Sequence, residues 1–252
     1  MKLAAQLYTV RDYTKNEAGI YETLKKVKEI GYNAIQISAF GEYRTEWLVE
    51  KLRELNLKVC ATHTPLERII NDTDTVIEEH KALGCNLIGL GWYKTDSKEK
   101  ADELLKLLEP ALMKIKSQGL QFTYHNHEHE FQEIEKGYTV MDYLRDKTDP
   151  ELFSFLPDFY WICFAGVDSL QFIEDFKDRF NVVHFKDLKY EDGKAKMTEI
   201  FNGEIDYLSI YERLVELGVE WAAIEQDVCE LDPFLSLEIS YRNLKAKKLF
   251  SD

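Results

Sequence analysis

The sequence predicts an α/β protein, a single (β/α)8 TIM barrel that covers residues 1–252. Three observations predict this fold. The length of 252 residues is typical of one such barrel, short β-rich runs alternate with helical patterns along the whole chain, and four stretches repeat the order helix, glycine, strand. A doubly wound open sheet is the competing fold, but it usually has fewer strands, and the chain contains no G-x-G-x-x-G turn.

The predicted strands and helices follow one another in a regular order. The eight strands are Leu3–Tyr8, Ala34–Ser38, Lys58–His63, Leu87–Leu90, Gln121–His125, Leu152–Asp158, Val182–Phe185 and Trp221–Glu225. Apolar residues at helical spacing lie between them, and the series after the first strand is Ile20, Leu24, Val27 and Ile30. Four glycines stand shortly before a strand, where the C-terminal cap of a helix is expected, at Gly31, Gly84, Gly119 and Gly218.

Composition and charge exclude several classes of protein. The chain carries 32 Lys and Arg against 46 Asp and Glu, a net charge of −14, which argues against partners such as nucleic acids or anionic membrane surfaces. No apolar run approaches the roughly 18 residues of a membrane helix, and the N-terminus lacks the apolar run of a signal peptide. The cysteines are scattered, so we expect reduced thiols in a cytoplasmic protein, at Cys60, Cys85, Cys163 and Cys229.

The histidines indicate where a functional site lies. Active sites of TIM barrels form at the C-terminal ends of the strands. Five of the six histidines stand at such ends, namely His63, His125, His127, His129 and His184. The sixth, His80, falls within a helix, where we expect a solvated or packing role. A single strand-end histidine is most often an ordinary hydrogen-bonded residue, but five on one rim favour a site.

Carboxylates end two further strands on the same rim. Asp158 ends the sixth strand and Glu225 the eighth, while strand alternation places His184 and Lys186 on one face of the seventh. This mixture of carboxylates and imidazoles is one that Mn²⁺, Mg²⁺, Co²⁺ or Zn²⁺ accepts. The chemistry that suits such a site is the removal of a proton next to a carbonyl group.

Five motifs in order resemble the xylose isomerase-like TIM-barrel superfamily, which contains sugar phosphate isomerases and epimerases. They are Gln-Leu-Tyr-Thr-Val-Arg (Gln6–Arg11), His-Asn-His-x-x-Glu-Phe (His125–Phe131), Asp-x-Tyr-Trp (Asp158–Trp161), His-Phe-Lys-Asp (His184–Asp187) and Glu-Gln-Asp (Glu225–Asp227). The resemblance extends from the first strand to the last helix.

This resemblance implies one divalent metal ion held by a Glu, Asp, His, Glu set. Asp158, His184 and Glu225 match the last three positions. The fifth strand ends in His125, where many relatives have a glutamate. Glu130 is therefore our predicted first ligand, with His125 or His127 as the alternative.

The function implied is a metal-dependent sugar isomerase or epimerase with a small carbohydrate substrate. We expect Glu130 and Glu225 to be the acid and base. The predicted substrate-binding residues are Gln6, Tyr8, His63, His125, His127, Trp161 and Lys186, and Trp92 is either a further wall or a core residue. The loops after the seventh and eighth strands are acidic and nearly free of glycine, which favours a substrate without phosphate.

Other functions stay open at this point. Inosose dehydratases look similar near His125, so a lyase or dehydratase acting on an inosose or a 3-keto sugar is the main alternative. Apurinic endonucleases share the superfamily, although the net charge argues against a DNA partner. A sugar-binding barrel with a decayed metal site is disfavoured by the intact Asp158, His184 and Glu225. The sequence leaves open whether the chain forms a homo-oligomer.

Overall fold

The computed structural model describes Met1–Phe250. Eight parallel strands form one curved sheet, β1 (Lys2–Gln6), β2 (Ala34–Ile37), β3 (Lys58–His63), β4 (Leu87–Leu90), β5 (Gln121–His125), β6 (Phe153–Leu156), β7 (Val182–Phe185) and β8 (Trp221–Ile224). Their order around the sheet is β6-β5-β4-β3-β2-β1-β8-β7. The sheet closes between β6 and β7 through one parallel bridge, Asp158 with His184. The predicted (β/α)8 barrel is therefore confirmed.

Helices surround the sheet and connect its strands. They are α1 (Glu17–Ile30), α2 (Thr45–Glu54), α3 (Leu66–Asn71), α4 (Thr73–Leu83), α5 (Lys98–Ser117), α6 (Val140–Lys147), α7 (Phe159–Phe164), α8 (Ser169–Phe176), α9 (Tyr207–Glu216) and α10 (Pro233–Ala246). Short 3-10 helices cover Leu7–Tyr13 and His129–Phe131. Two hairpins lie outside the barrel, Glu133–Glu135 with Tyr138–Thr139 and Asp187–Glu191 with Lys194–Thr198.

The first helix shows how the local sequence sets these elements. Asn16 begins it by accepting a hydrogen bond from the backbone N–H of Gly19, and Ile20, Leu24 and Val27 are buried at the predicted spacing. It ends at Gly31, whose φ of 123° is unfavourable for other residues. A Cβ there would also lie 2.5 Å from the hydroxyl of Tyr241, so this position requires glycine.

The barrel has two apolar layers. The larger one lies between the sheet and the helices. A second cluster is made mainly of small side chains, including Ala4, Ala34, Ala61 and Ala223, and the register pairs Ala4 with Ala223 across β1 and β8. Polar residues follow on these strands, with Gln6 of β1 paired to Gln36 of β2, so the C-terminal end of the barrel is the polar one.

Two strands end two residues earlier than predicted, for identifiable reasons. The first strand ends at Gln6 rather than at residue 8, because the Gln6 side chain accepts a hydrogen bond from the Tyr8 N–H (2.6 Å) and starts a 3-10 helix. The sixth ends at Leu156, because Asp158 instead caps α7. Residues 186–193, interpreted from the sequence as a loop, contain the first strand of a hairpin that extends to Thr198.

Three further expectations concern the rest of the chain. All four cysteines are free thiols, two of them buried. His80 is buried in α4 and contacts Thr62 Oγ1 and the Val76 carbonyl oxygen, so its role is packing. Among the described residues, no helix combines the length and the apolar character that crossing a lipid bilayer requires.

Candidate metal centre and substrate cavity

Four buried side chains converge at the C-terminal ends of neighbouring strands. His125 ends β5, Asp158 follows β6, His184 lies in β7 and Glu225 follows β8. One donor atom from each lies within 4.8 Å of the donor atoms of the other three. We call these four residues the cluster.

Oxygen acceptors outside the cluster orient its two imidazole rings. His125 Nδ1 lies 3.2 Å from the carbonyl oxygen of Gly91, and His184 Nε2 lies 2.7 Å from the Gln36 side-chain oxygen. Because these oxygens only accept hydrogen bonds, each of these nitrogens carries the proton. In their neutral forms His125 Nε2 and His184 Nδ1 therefore turn lone pairs towards the cluster, as metal-ligating histidines do.

The two carboxylates are held in the same way. Asp158 Oδ1 accepts a hydrogen bond from the Tyr160 N–H at 2.9 Å, and Glu225 Oε1 accepts one from Gln6 Nε2 at 2.6 Å. Their other oxygens, Oδ2 and Oε2, point into the cluster. Each side chain of the cluster thus has one polar atom held by a hydrogen bond to the protein and a second polar atom turned inward.

These residues fit a divalent metal ion. His184 Nδ1 is buried and makes no hydrogen bond, and it lies 3.1 Å from Glu225 Oε2. A buried polar atom without a partner is costly, and a cation between the four inward atoms would satisfy it. Two imidazoles and two carboxylates suit Zn²⁺, Mn²⁺ or Co²⁺.

The ammonium group of Lys186 lies among the carboxylates. Its Nζ is 2.8 Å from Asp158 Oδ2, 2.8 Å from Glu225 Oε2 and 3.0 Å from Asp227 Oδ2. Burial alone would lower the pKa of Lys186, but these carboxylates raise it well above its usual value. Burial is the largest single effect and raises the pKa of both Asp158 and Glu225, but the Lys186 charge and the contacts with His125 and His184 together outweigh it and lower both pKa values, so both groups are ionised at neutral pH.

The structure places Glu130 outside the cluster. Its carboxylate accepts hydrogen bonds from the Tyr124 hydroxyl (2.5 Å) and from the His127 N–H (2.8 Å), and it lies 3.1 Å from His129 Nε2. The 3-10 turn after β5 brings it back beside Tyr124, while His125 joins the cluster. The predicted first ligand therefore differs from the one that the geometry offers, which is the alternative His125.

A cavity of about 490 Å³ opens beside the cluster. Most predicted substrate-binding residues line it, namely Tyr8, His63, His125, His127 and Lys186, and so does Glu225. Gln6 instead lies behind Glu225, and Trp161 packs against the His127 ring at 5.5 Å. Trp92 lines the cavity and is 60% exposed, so it is not a core residue.

Two histidines in the cavity wall have a free ring nitrogen. His63 Nε2 and His127 Nδ1 are buried and make no hydrogen bond. Burial and then the neighbouring His125 lower the pKa of His63 well below its usual value, and the same two causes lower the pKa of His127 to about 2. Both rings are therefore neutral at physiological pH.

The residue-by-residue prediction omitted two members of the site. Gln36 orients His184, and its signal is a polar residue at an inward position of the otherwise apolar β2. Asp227 pairs with Lys186 and lines the cavity. Burial and then the Glu225 charge raise the pKa of Asp227 to about 6. Its position two residues after Glu225, on the same rim, was a usable signal.

The family follows from comparison with known sequences. The family model described as xylose isomerase-like TIM barrel matches residues 24–234. The chain belongs to this family. Within this xylose isomerase-like barrel, the cluster occupies the strand ends at which the sequence motifs stand.

Curated relatives of this xylose isomerase-like protein include two inosose dehydratases. The one from Lacticaseibacillus casei is 29% identical over 149 residues, which are 52% of this chain and 47% of the relative. The one from Lactiplantibacillus plantarum is 26% identical over 231 residues, which are 82% and 73% of the two chains. The chain thus spans about half the length of the first relative.

Solved structures share the barrel over almost its whole length. A sugar phosphate isomerase/epimerase from Parabacteroides distasonis is 18% identical with a TM-score of 0.81 and covers 99% of this chain and 95% of its own. An L-ribulose 3-epimerase is 13% identical with a TM-score of 0.76 and the same coverage. The IOLI protein with a zinc atom is 16% identical with a TM-score of 0.72, covering 100% of both chains. At these identities the likeness shows the fold.

Proposed function

We propose that the protein is a divalent-metal-dependent sugar isomerase or epimerase that removes a proton next to a carbonyl group. The observation that carries this proposal is the cluster itself, in which four inward-facing donor atoms, each fixed from behind, lie beside a cavity of about 490 Å³. The ligands would be His125, Asp158, His184 and Glu225. The zinc atom in the structurally similar IOLI protein supports a metal in this fold.

The bound cation would polarise the carbonyl and hydroxyl oxygens of the sugar and stabilise the negative charge that follows proton removal. Glu225 is our candidate base, because it lines the cavity and its lowered pKa keeps it ionised. Glu130 does not line the cavity, so we assign the second proton-transfer role to His63. His63 lines the cavity with Glu225, and its Nδ1 lies 3.5 Å from Gln6 Nε2, which donates a hydrogen bond to Glu225 Oε1 at 2.6 Å.

The charges in the cavity favour a substrate without phosphate. Lys186 is held by three carboxylates. Arg11, the other cation that lines the cavity, donates hydrogen bonds to the carbonyl oxygens of Tyr8 and Asp227. A phosphate dianion would meet the negative charges of Glu225 and Asp227 without a free cationic partner. We therefore propose a neutral sugar or keto-sugar.

A dehydratase is the second candidate, and the names of the curated relatives favour it. The two inosose dehydratases described above match 52% and 82% of the chain. The first step, removal of a proton next to a carbonyl, is the same in both reactions. A dehydratase differs because a hydroxyl group then leaves with a proton from the protein.

Deuterium exchange tests the proposal. The protein would be stripped of metal, reloaded with Mn²⁺ or Co²⁺ and incubated in D₂O with a panel of keto-sugars and inososes. We expect metal-dependent incorporation of deuterium next to the carbonyl, followed by isomer formation. Loss of water and an unsaturated product would establish the dehydratase instead, and the absence of exchange with every substrate would contradict both.

A matched pair of variants localises the chemistry. Glu225→Gln removes the proposed base, which is also a proposed metal ligand, and should abolish exchange even in protein whose metal content has been measured and equals that of wild type. Glu199→Gln alters another buried carboxylate, which bonds Ser236 outside the cavity, and should leave exchange near the wild-type rate. Equal rates for the two variants would argue against Glu225 as the base.

A further inference from the structure

The position of the Lys186 ammonium raises a question about metal binding. It is completely buried and lies 2.8 Å from each of the two oxygens, Asp158 Oδ2 and Glu225 Oε2, that the cluster offers to a metal. Its third carboxylate partner, Asp227, is not a member of the cluster. One positive group of the protein thus already contacts both carboxylate oxygens that a metal needs.

We infer that Lys186 is a built-in competitor for the metal, which occupies the cluster carboxylates in the metal-free protein and must retreat onto Asp227 before a metal binds. The inference rests on the proposed metal site and adds a role for this lysine in setting metal affinity. It concerns a positioning residue rather than a ligand.

The ammonium and a metal ion would compete for the same two oxygens. Asp158, Glu225 and Asp227 bring three carboxylates together, and removing such charges from water without a cation is strongly unfavourable. A metal ion bound to Oδ2 and Oε2 would lie beside the ammonium that contacts the same two atoms, and the two positive charges would repel in this buried setting. The ammonium therefore opposes metal binding at these oxygens.

The structure provides a place for the displaced ammonium. Asp227 holds it at 3.0 Å, and the Asp227 side chain is 21% exposed, at the edge of the cavity. Lys186 itself lines that cavity, and its Nζ lies 5.5 Å from the centre of the Trp161 ring. Metal loading would thus move this ammonium from the cluster towards the substrate cavity. The metal would therefore bind before the substrate.

Metal affinity tests the inference directly. Lys186→Met removes the competitor while keeping the length of the side chain, and Lys189→Met is the control, since Lys189 lies on the neighbouring hairpin and pairs with Glu230. Competition between each protein and a chelating indicator for Co²⁺ gives the dissociation constants. We expect Lys186→Met to bind Co²⁺ about tenfold more tightly than wild type, because residues that contact metal ligands typically change metal affinity by at least this factor. The affinity of Lys189→Met should equal that of wild type.

The thermal stability of the same proteins gives a second readout. Metal-free Lys186→Met should melt below wild type, because three carboxylates lack their cation, and Co²⁺ should raise its melting temperature more than that of wild type. If this variant does not fold, Lys186→Gln takes its place.

Acetylation of the wild-type protein provides a test without a mutation. Mass spectrometry should show severalfold more acetylation of Lys186 after Co²⁺ loading, with Lys189 unchanged.

The possible failures are distinguishable. If wild type binds Co²⁺ but Lys186→Met binds it equally or more weakly, or if Lys186 stays protected from acetylation after loading, the competition is refuted while the metal site stands. If neither protein binds Co²⁺, Mn²⁺ or Zn²⁺, the proposed function fails together with this inference.

Discussion

The hydrogen bond between Gln36 and His184 gives the sharpest prediction about the cluster. The Gln36 oxygen accepts the His184 Nε2 proton at 2.7 Å, and both side chains are fully buried. This bond keeps the lone pair of His184 on Nδ1, which faces the cluster. We predict that Gln36→Leu weakens metal binding without touching any ligand.

The expected size follows from the alternatives left to the ring. Without Gln36, His184 can move its proton to Nδ1 and donate to Glu225 Oε2, which lies 3.1 Å away. Metal binding then requires the proton to return to Nε2, where it faces an apolar leucine. A buried donor without a partner costs about 1–3 kcal/mol, which corresponds to a loss of about 5- to 150-fold in affinity.

Titration with Co²⁺ against a chelating indicator measures this loss. Gln36→Glu is the rescuing variant, because a carboxylate also accepts from Nε2, and its affinity should equal or exceed that of wild type. Gln226→Leu is the control for burying a leucine, since Gln226 is buried but bonds the carbonyl oxygen of Val228 instead of a ligand. A folded Gln36→Leu that binds Co²⁺ within twofold of wild type would refute the reasoning.

Three further changes test other parts of the structure. His127 is neutral in the folded protein because burial lowers its pKa from 6.5 to about 2, so the unfolded chain takes up its proton first and stability falls as the pH drops below 6.5. In urea unfolding, His127→Gln should therefore lose about 2 kcal/mol less than wild type between pH 6.5 and pH 5, and equal losses would contradict the assignment. Trp92→Ala should raise KM severalfold with little change in kcat or stability, because the exposed ring forms a wall of the cavity; an unchanged KM would remove Trp92 from the substrate site. Asp187→Ala should lower the free energy of unfolding by about 2–4 kcal/mol, because the buried carboxylate accepts hydrogen bonds from four backbone N–H groups; a loss below about 1 kcal/mol would show that these bonds add little.

The barrel could be predicted because its pattern is local and repeated. Each strand is a short apolar run, and a glycine stands shortly before four of the eight strands, as at Gly31. Parallel connections then bring all strand ends to one rim, so Asp158, His184 and Glu225 had to meet. The cluster contains these three residues as the sequence motifs implied.

The fourth ligand position depended on information that the pattern does not carry. His125 and Glu130 are five residues apart, and which of them reaches the cluster depends on how the chain turns after β5. A hydrogen bond from the Tyr124 hydroxyl holds Glu130 elsewhere. Strand alternation correctly placed Lys186 on the same face as His184. The pairing of its ammonium with three carboxylates could not be predicted, because these carboxylates follow β6 and β8, which are distant from Lys186 along the chain.

The most direct test of the central claim is a crystal structure of the protein loaded with Co²⁺ or Zn²⁺, with the ion located by its anomalous scattering. We predict one ion within coordination distance, about 2.0–2.3 Å, of His125 Nε2, Asp158 Oδ2, His184 Nδ1 and Glu225 Oε2. An ion bound instead by Glu130 with His127 and His129, or a cluster that stays free of metal after loading, would contradict the account.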